Sequence, residues 1–145
     1  MPNMKYLILS AILLGASSVF AGEGWQTDYK AALEQASKEN KAVLLDFTGS
    51  DWCGWCIKMD KETFSQADFK KFAEKNLVLV ELDFPRSKPQ SAEVKKQNSE
   101  LQAKYGIEGY PTLVLLDSKG KELARANYVE GGPKAFADWV EKALK

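Results

Sequence analysis

The chain has 145 residues, in which 20 lysines and arginines balance 20 aspartates and glutamates, and it contains no histidine. A net charge of zero argues against nucleic acid or an anionic membrane surface as the main partner, because both attract strongly basic proteins. The length suits one domain with a complete hydrophobic core.

The first 21 residues have the features of a secretory signal peptide. Lys5 supplies a positive charge near the start, a mostly apolar run follows it, and the segment then turns small and polar. Val19 and Ala21 occupy the small-residue positions that precede a cleavage site, which predicts cleavage after Ala21. The apolar run is short for a transmembrane helix, and an uncleaved anchor is the alternative. We expect a single mature domain over residues 22–145, secreted across the inner membrane into a bacterial periplasm.

The spacing of apolar residues predicts alternating helices and strands through the mature chain. Short apolar runs bounded by turn residues indicate buried strands, and apolar residues three or four positions apart indicate helices. The predicted elements are, in chain order, a helix at 27–40, a strand at 42–47, a helix from the cysteines to about 64, a helix at 65–75, a strand at 77–84, a solvent-facing helix at 92–105, a strand at 112–116, its hairpin partner at 122–126 and a helix at 131–144. This order predicts an α/β fold with a central mixed β-sheet and helices on both faces.

The two cysteines of the chain lie three residues apart, in Trp52-Cys53-Gly54-Trp55-Cys56. At the start of a helix this spacing puts both sulfurs on one face, where they can close and reopen a small disulfide. A bridge around so few residues constrains little chain and adds little stability, which favours exchange chemistry over a structural role. A structural disulfide and a pair of inert core thiols are the alternatives.

Metal and haem sites find little support in the residue types present. A zinc site needs about four ligands, and the chain offers two thiols and no histidine. Covalent haem attachment needs a histidine directly after the second cysteine, where this chain has Ile57. We therefore expect no metal and no cofactor.

Two motifs together resemble the active site of the thioredoxin superfamily. The cysteine motif follows a strand and opens a helix, and Gly-Tyr-Pro-Thr at 109–112 lies downstream, directly before another strand. The second motif is similar to the cis-proline loop that faces the dithiol in this superfamily. The resemblance covers roughly residues 42–145 and implies a thioredoxin-like fold. Trp55 stands where thioredoxin has proline, a pattern closer to exported thioredoxin-like proteins.

The resemblance implies thiol–disulfide exchange with protein substrates. Cys53 is expected to be the nucleophile, because a helix N-terminus stabilises its thiolate, and Cys56 the less exposed resolving thiol. Asp46 resembles the buried aspartate behind the resolving cysteine and could accept its proton, although it lies one residue further from Cys53 than in thioredoxin. A strand-end carboxylate bound to backbone or water is the alternative for Asp46.

We expect the substrate to contact the residues around the two cysteines. Trp55 is predicted to be exposed, whereas Trp52 is predicted to pack on the domain itself. A cis bond before Pro111 would leave the backbone of Tyr110 open for pairing with an extended substrate strand. The predicted contacts are Trp52, Gly54, Trp55, Tyr110, Pro111 and Thr112.

Two features favour reduction or isomerisation of disulfides over oxidation of thiols. Strong oxidants of the superfamily resemble one another in placing a histidine between the cysteines, and this chain has none. Carboxylates at Asp46, Asp51 and Glu81 would disfavour a thiolate nearby. We expect a monomer that receives electrons from a membrane or soluble redox partner. An oxidase of the same fold and a non-catalytic binding or chaperone module are the alternatives.

Overall fold

The computed structural model describes residues 20–22 and 24–145, so all but the end of the predicted signal peptide lies outside the described residues. The strands are β1 (Phe20–Gly22), β2 (Trp25–Gln26), β3 (Ala42–Thr48), β4 (Leu77–Asp83), β5 (Thr112–Leu116) and β6 (Glu122–Ala126). The helices are α1 (Tyr29–Glu39), α2 (Gly54–Met59), α3 (Ala67–Asn76), α4 (Ala92–Lys104) and α5 (Gly132–Ala143). None of the helices within these ranges is long and apolar enough to cross a bilayer.

The strands form one mixed sheet in the order β1-β2-β4-β3-β5-β6. Strands β2, β4 and β3 run parallel to one another, whereas β5 lies antiparallel to β3 and pairs with β6 in a hairpin. Strand β3 is therefore central, and all seven of its residues are buried. The predicted mixed sheet is confirmed, and the short strands β1 and β2 extend it beyond the predicted elements.

Helices cover both faces of the sheet, as the sequence predicts. Alternate residues of β3 point to opposite faces, so that Leu44 belongs to one core and Val43 and Leu45 belong to the other. The first core is completed by side chains of α2, α3 and α5, and the second by side chains of α1 and α4. By the same alternation Asp46 points to the face that α2 covers, which brings its carboxylate to the side of the sheet that carries the cysteines.

The helix that begins at the cysteines changes its geometry after one and a half turns. Residues Asp60–Phe64 form a π-helical turn, in which the Ser65 N–H donates to the Asp60 carbonyl at 2.8 Å. The sequence predicts a helix to about residue 64 but not this widened turn, which is set by packing. The turn ends at Phe64, which is buried against Trp25, and the ring centroids of the two residues lie 5.1 Å apart.

Helix α4 is largely solvent-facing, as the sequence predicts, but two of its residues are buried. Leu101 is buried in the second core, and Asn98 is buried although it is polar. The Asn98 side-chain amide donates to the carbonyl of Asp83 at 3.0 Å, which satisfies a backbone group at the end of β4. Two buried positions in a mostly polar helix give a weak apolar pattern, so the sequence underestimates how firmly α4 is attached.

Candidate active site

A tight turn after β3 places Cys53 at the start of α2. The N–H groups of Trp52 and Cys53 both donate to the Gly49 carbonyl, at 3.2 and 2.8 Å. Cys53 is the N-cap residue of α2, and its sulfur accepts a hydrogen bond from the Cys56 N–H at 3.2 Å. The two cysteines form a disulfide with their Cα atoms 5.2 Å apart.

Gly49 allows the indole of Trp52 to fold back over this turn. A Cβ atom at position 49 would lie 2.4 Å from the nearest indole carbon of Trp52, which is far inside van der Waals contact. The sequence marks Gly49 only as a residue that ends the preceding strand. Its contact with Trp52 depends on the path of the turn, which the sequence does not show.

Both sulfur-bearing residues are almost fully covered. Cys53 and Cys56 are each 6% exposed, so the prediction that Cys56 is the less exposed of the two is wrong for the disulfide form. The cause is the loop that carries Tyr110, whose carbonyl oxygen lies 3.6 Å from the Cys53 sulfur. This loop shields the N-terminal cysteine as well as the one inside the helix.

The Tyr110–Pro111 peptide bond is cis, the isomer that the sequence predicts. Two hydrogen bonds hold this loop in place. The Thr112 hydroxyl donates to the Gly109 carbonyl at 2.7 Å, and the Asn127 amide donates to the Pro111 carbonyl at 3.2 Å. Thr112 itself is buried. Its side chain therefore supports the loop from inside the domain, while the backbone of Tyr110 lies beside the sulfur.

Trp52 packs on the domain, as the sequence predicts. Its indole N–H donates to the Phe84 carbonyl at 2.7 Å, and its ring meets the Tyr110 ring edge-on at 5.7 Å. The other side of the indole carries the guanidinium of Arg86, whose Cζ lies 3.8 Å from the ring centroid. Trp52 thus forms part of a fixed wall beside the disulfide.

Trp55 lies between the two cysteines in sequence and is 58% exposed, which confirms its predicted exposure. Its ring lies 5.2 Å from that of Tyr128, and the Lys58 ammonium lies 5.0 Å from the Trp55 ring centroid. Tyr128 follows the last strand, far from the cysteine motif in sequence, and no sequence pattern indicates that it belongs to this site. The exposed Gly54 completes this rim, since a Cβ there would meet no atom within 4 Å.

A cavity of about 430 Å³ lies behind the disulfide, and both Cys56 and Asp46 line it. Asp46 is buried, and its Oδ1 atom has no hydrogen-bond partner among the described residues. Burial raises the pKa of Asp46 well above its usual value, and the carboxylates of Glu81, Asp60 and Asp83 raise it further. The carboxylate therefore lies on the Cys56 side of the disulfide in a state that favours holding a proton.

Glu81 is the second carboxylate of this cavity. It lies beside Asp46 in the register of β3 and β4, and both side chains point to the same face. Burial raises the pKa of Glu81 to about 7, with Asp83 contributing in the same direction and Lys88 opposing it. The cavity thus holds two neighbouring carboxyl groups whose simultaneous ionisation is unfavourable.

Asp51 is bound by the backbone of the loop after β4. Its two oxygens accept hydrogen bonds from the backbone N–H groups of Arg86 and Ser87, at 3.0 and 2.7 Å. These bonds lower the pKa of Asp51. The Asp51 carboxylate thus holds this loop, and Asp60 is a further acidic residue on the cavity wall that the sequence analysis did not identify.

Comparison with known proteins agrees with this geometry. A family model described as a thioredoxin-like domain matches residues 29–144. The chain belongs to this family. It is 44% identical over 121 residues to the disulfide bond reductase DsbH of Chlamydia pneumoniae, a match that covers 83% of this chain and 72% of DsbH. A solved DsbH oxidoreductase structure superposes with a TM-score of 0.77 and 37% identity, covering 98% of this chain and 94% of the other.

A second relative is much longer than this chain. The thioredoxin-related protein DsbJ of Chlamydia pneumoniae is 33% identical over 101 residues, which are 70% of this chain but only 29% of DsbJ. The family and the thioredoxin-like fold expected from the two motifs are confirmed by these matches.

Proposed function

We propose that the protein is an exported thiol–disulfide oxidoreductase that reduces or isomerises disulfides of other proteins through Cys53 and Cys56. The observation that carries this proposal is the Cys53–Cys56 disulfide itself, at a helix start and 3.6 Å from the backbone carbonyl of Tyr110. A disulfide across two intervening residues staples almost no chain, so its value lies in exchange. The likeness to a protein named disulfide bond reductase supports the reducing direction.

The reaction begins with the reduced dithiol. The Cys53 thiolate attacks one sulfur of the substrate disulfide, and the substrate S–S bond breaks with its electron pair passing to the leaving sulfur. Cys56 then loses its proton and attacks the Cys53 sulfur, which releases the second substrate sulfur as a thiolate. The products are a reduced substrate and the Cys53–Cys56 disulfide, so two electrons have moved from protein to substrate.

Asp46 is our candidate for the acceptor of the Cys56 proton. Both residues line the same cavity, and the Asp46 Oδ1 atom has no partner among the residues that the structure describes. Burial raises the pKa of Asp46 and so gives the carboxylate a high affinity for a proton. Once Asp46 is ionised, this affinity suits its carboxylate to act as a general base toward the Cys56 thiol.

Substrate contacts are proposed on the rim around the sulfurs. The backbone of Tyr110 would pair with an extended substrate strand, beside the cis bond to Pro111. The exposed indole of Trp55 and the uncovered Gly54 would contact the chain on the other side, while Trp52 forms the wall. Thr112 would act indirectly, by holding the loop in place.

The carboxylates behind Cys56 support a reducing pair. Asp46, Asp60 and Glu81 line the cavity beside two lysines, and each carboxyl group that ionises there disfavours the thiolates of the reduced form. A destabilised reduced form gives electrons away readily, which suits a reductase or isomerase and opposes the oxidase alternative. A membrane or soluble partner would return electrons to the disulfide, and we propose that the protein works as a monomer.

Export is proposed from the N-terminal sequence. Cleavage after Ala21 would remove the first two residues of β1 and leave a domain over residues 22–145 in an oxidising compartment. N-terminal sequencing of the protein isolated from the periplasm tests this cleavage. A start at Gly22 supports cleavage, whereas an intact N-terminus supports an anchor.

Insulin reduction driven by dithiothreitol tests the activity. Cys53→Ser should abolish it, because no nucleophile is left, and Cys56→Ser should accumulate a mixed disulfide with the substrate. Lys119→Gln, on the turn between β5 and β6, is the matched control and should reduce insulin normally. Full activity of Cys53→Ser would remove the pair from the mechanism.

The reduction potential separates the alternatives. Equilibration with glutathione buffers should give a value of about −270 to −230 mV for a reductant, and about −120 mV would indicate an oxidase. A disulfide that stays closed below about −300 mV, with no mixed disulfide trapped by Cys56→Ser, would favour a binding module.

A further inference from the structure

The guanidinium of Arg86 is an exposed cation fixed beside the disulfide that the exchange reaction does not use. Arg86 lies in the loop between β4 and α4, and its Cζ atom lies 3.8 Å from the Trp52 ring centroid. No carboxylate in the described ranges forms an ion pair with it. Its five N–H donors are therefore open to a partner outside the chain.

The loop that carries Arg86 is held in place by its backbone. The N–H groups of Arg86 and Ser87 donate to the two oxygens of Asp51, at 3.0 and 2.7 Å. Both Asp51 oxygens accept backbone N–H groups, so the carboxylate anchors the loop and forms no ion pair with the guanidinium within the described residues. The stacking on Trp52 fixes the plane of the guanidinium, which lowers the entropy cost of binding a partner.

A short chain of contacts joins Arg86 to the reacting sulfur. The guanidinium stacks on Trp52, the Trp52 ring meets the Tyr110 ring edge-on at 5.7 Å, and the Tyr110 carbonyl lies 3.6 Å from the Cys53 sulfur. Trp52 cannot swing away freely, since its N–H is bonded to the Phe84 carbonyl at 2.7 Å. A peptide that pairs with the Tyr110 backbone and continues over Trp52 would therefore reach the guanidinium.

The charges around this edge favour an acidic partner. Lys88 lies in the same loop and is exposed, which adds a second positive charge. The nearby Asp83 side chain is bonded to the backbone N–H and hydroxyl of Ser50. The exposed charges of the loop itself are thus cationic, whereas the neighbouring Asp51 and Asp83 carboxylates keep their negative charge but direct their oxygens to hydrogen-bond donors of the domain.

We propose that Arg86 is a specificity-determining residue that binds an Asp or Glu side chain close to the reacting cysteine of the substrate protein. The guanidinium edge matches a carboxylate in two parallel N–H···O bonds, and its position is set by Trp52. This inference rests on the proposed exchange reaction and names the substrate class that the site prefers: disulfides flanked by acidic residues.

Matched peptides test the preference. Each peptide has capped ends and one cysteine, which forms a disulfide with 2-mercaptoethanol. The two peptides of a pair differ at a single position, within three residues of the cysteine on either side, where one has Asp and the other has Asn. The reduced protein is mixed with each peptide at low salt, and the rate of peptide release is followed by chromatography. Rates with dithiothreitol correct for the intrinsic reactivity of each disulfide.

The wild-type protein should reduce at least one Asp peptide about fivefold or more faster than its Asn partner, as expected for a charge-assisted hydrogen bond. Arg86→Gln should bring that ratio to about one, Arg86→Lys should keep part of it, and 0.5 M salt should weaken it. Lys119→Gln changes net charge equally at the far end of β5 and should leave the ratio intact.

The outcomes separate this inference from the proposed function. If neither peptide of any pair is reduced, the exchange function fails. If all pairs are reduced with equal rates, the function stands and the inference fails. If Arg86→Gln slows Asp and Asn peptides equally, Arg86 only supports Trp52 and the inference is overturned. Thermal unfolding of each variant verifies that it is folded.

Discussion

At the scale of single residues, the pairing of Asp46 with Glu81 is the feature that most affects the chemistry. The two carboxyl groups are neighbours across β3 and β4 and line one cavity with Cys56. Burial and mutual repulsion make the ionised pair unfavourable in the folded chain, whereas both groups ionise freely when the chain unfolds. The site therefore carries a cost in stability at high pH, which is common where chemistry requires a shifted pKa.

Glu81→Gln should make the folded protein less sensitive to high pH. The pKa of Glu81 rises from 4.5 to about 7 on folding, so its contribution to stability is complete below pH 4.5 and is lost as the pH rises through 7. At pH 8 the variant should be more stable than the wild type by up to about 3 kcal/mol, and the gain should vanish near pH 4.5.

Urea denaturation of the oxidised protein at pH 4.5 and pH 8 measures this difference. Glu141→Gln, at an exposed position of α5, is the matched control and should follow the wild type at both pH values. An equal free energy of unfolding for Glu81→Gln and wild type at pH 8 would show that Glu81 ionises in the folded protein without penalty.

At the scale of the elements, the turn between β3 and α2 decides where the cysteines lie. The Gly49 carbonyl accepts two N–H groups, and the Trp52 indole covers the turn at a distance that only a residue without Cβ permits. The turn, the indole and the start of α2 form one unit. A change in the turn should consequently alter the position of the disulfide.

Gly49→Ala should destabilise the domain by about 1–3 kcal/mol, because the new methyl group overlaps the indole and the ring is held by its bond to Phe84. Thermal unfolding measures the loss. Gly54→Ala is the matched control, since its methyl group would meet no atom within 4 Å. Equal melting temperatures for the two variants would show that the turn relaxes at no cost.

At the scale of the whole molecule, two cores hold the sheet between its helices. The core on the side of the cysteines contains a cluster of rings, in which Phe136 contacts Phe64, Phe69 and Trp139 at centroid distances of 5.4–5.5 Å. Phe136 is fully buried and links α5 to the π-helical turn after α2. This ring cluster packs α5 against the segment that continues the active-site helix.

Phe136→Ala should lower the free energy of unfolding by about 3–5 kcal/mol, since a large ring is lost from a site that cannot collapse easily. Leu144→Ala, near the C-terminal end and 47% exposed, should change it by less than about 1 kcal/mol. Urea denaturation compares the two variants. A loss below about 1 kcal/mol for Phe136→Ala would mean that the ring cluster contributes little.

Much of the fold was predictable because its patterns are local. Strand β3 is a short apolar run between turn residues, α5 begins at glycine and proline, and the order of elements predicts a mixed sheet. The π-helical turn at Asp60–Phe64 and the buried Asn98 were not predictable, since each is decided by what packs against it.

The sequence by itself determined most of the elements and the cysteine pair, because periodicity and spacing are properties of neighbouring residues, and the resemblance to the thioredoxin superfamily indicated the loop with Pro111. Only the tertiary structure decided that Cys53 is as covered as Cys56 and that Asp51 anchors a loop. It alone also placed Arg86 on Trp52 and Tyr128 on Trp55. These contacts join residues that are 34 and 73 positions apart in sequence, and such contacts form only when the sheet brings distant loops to one edge.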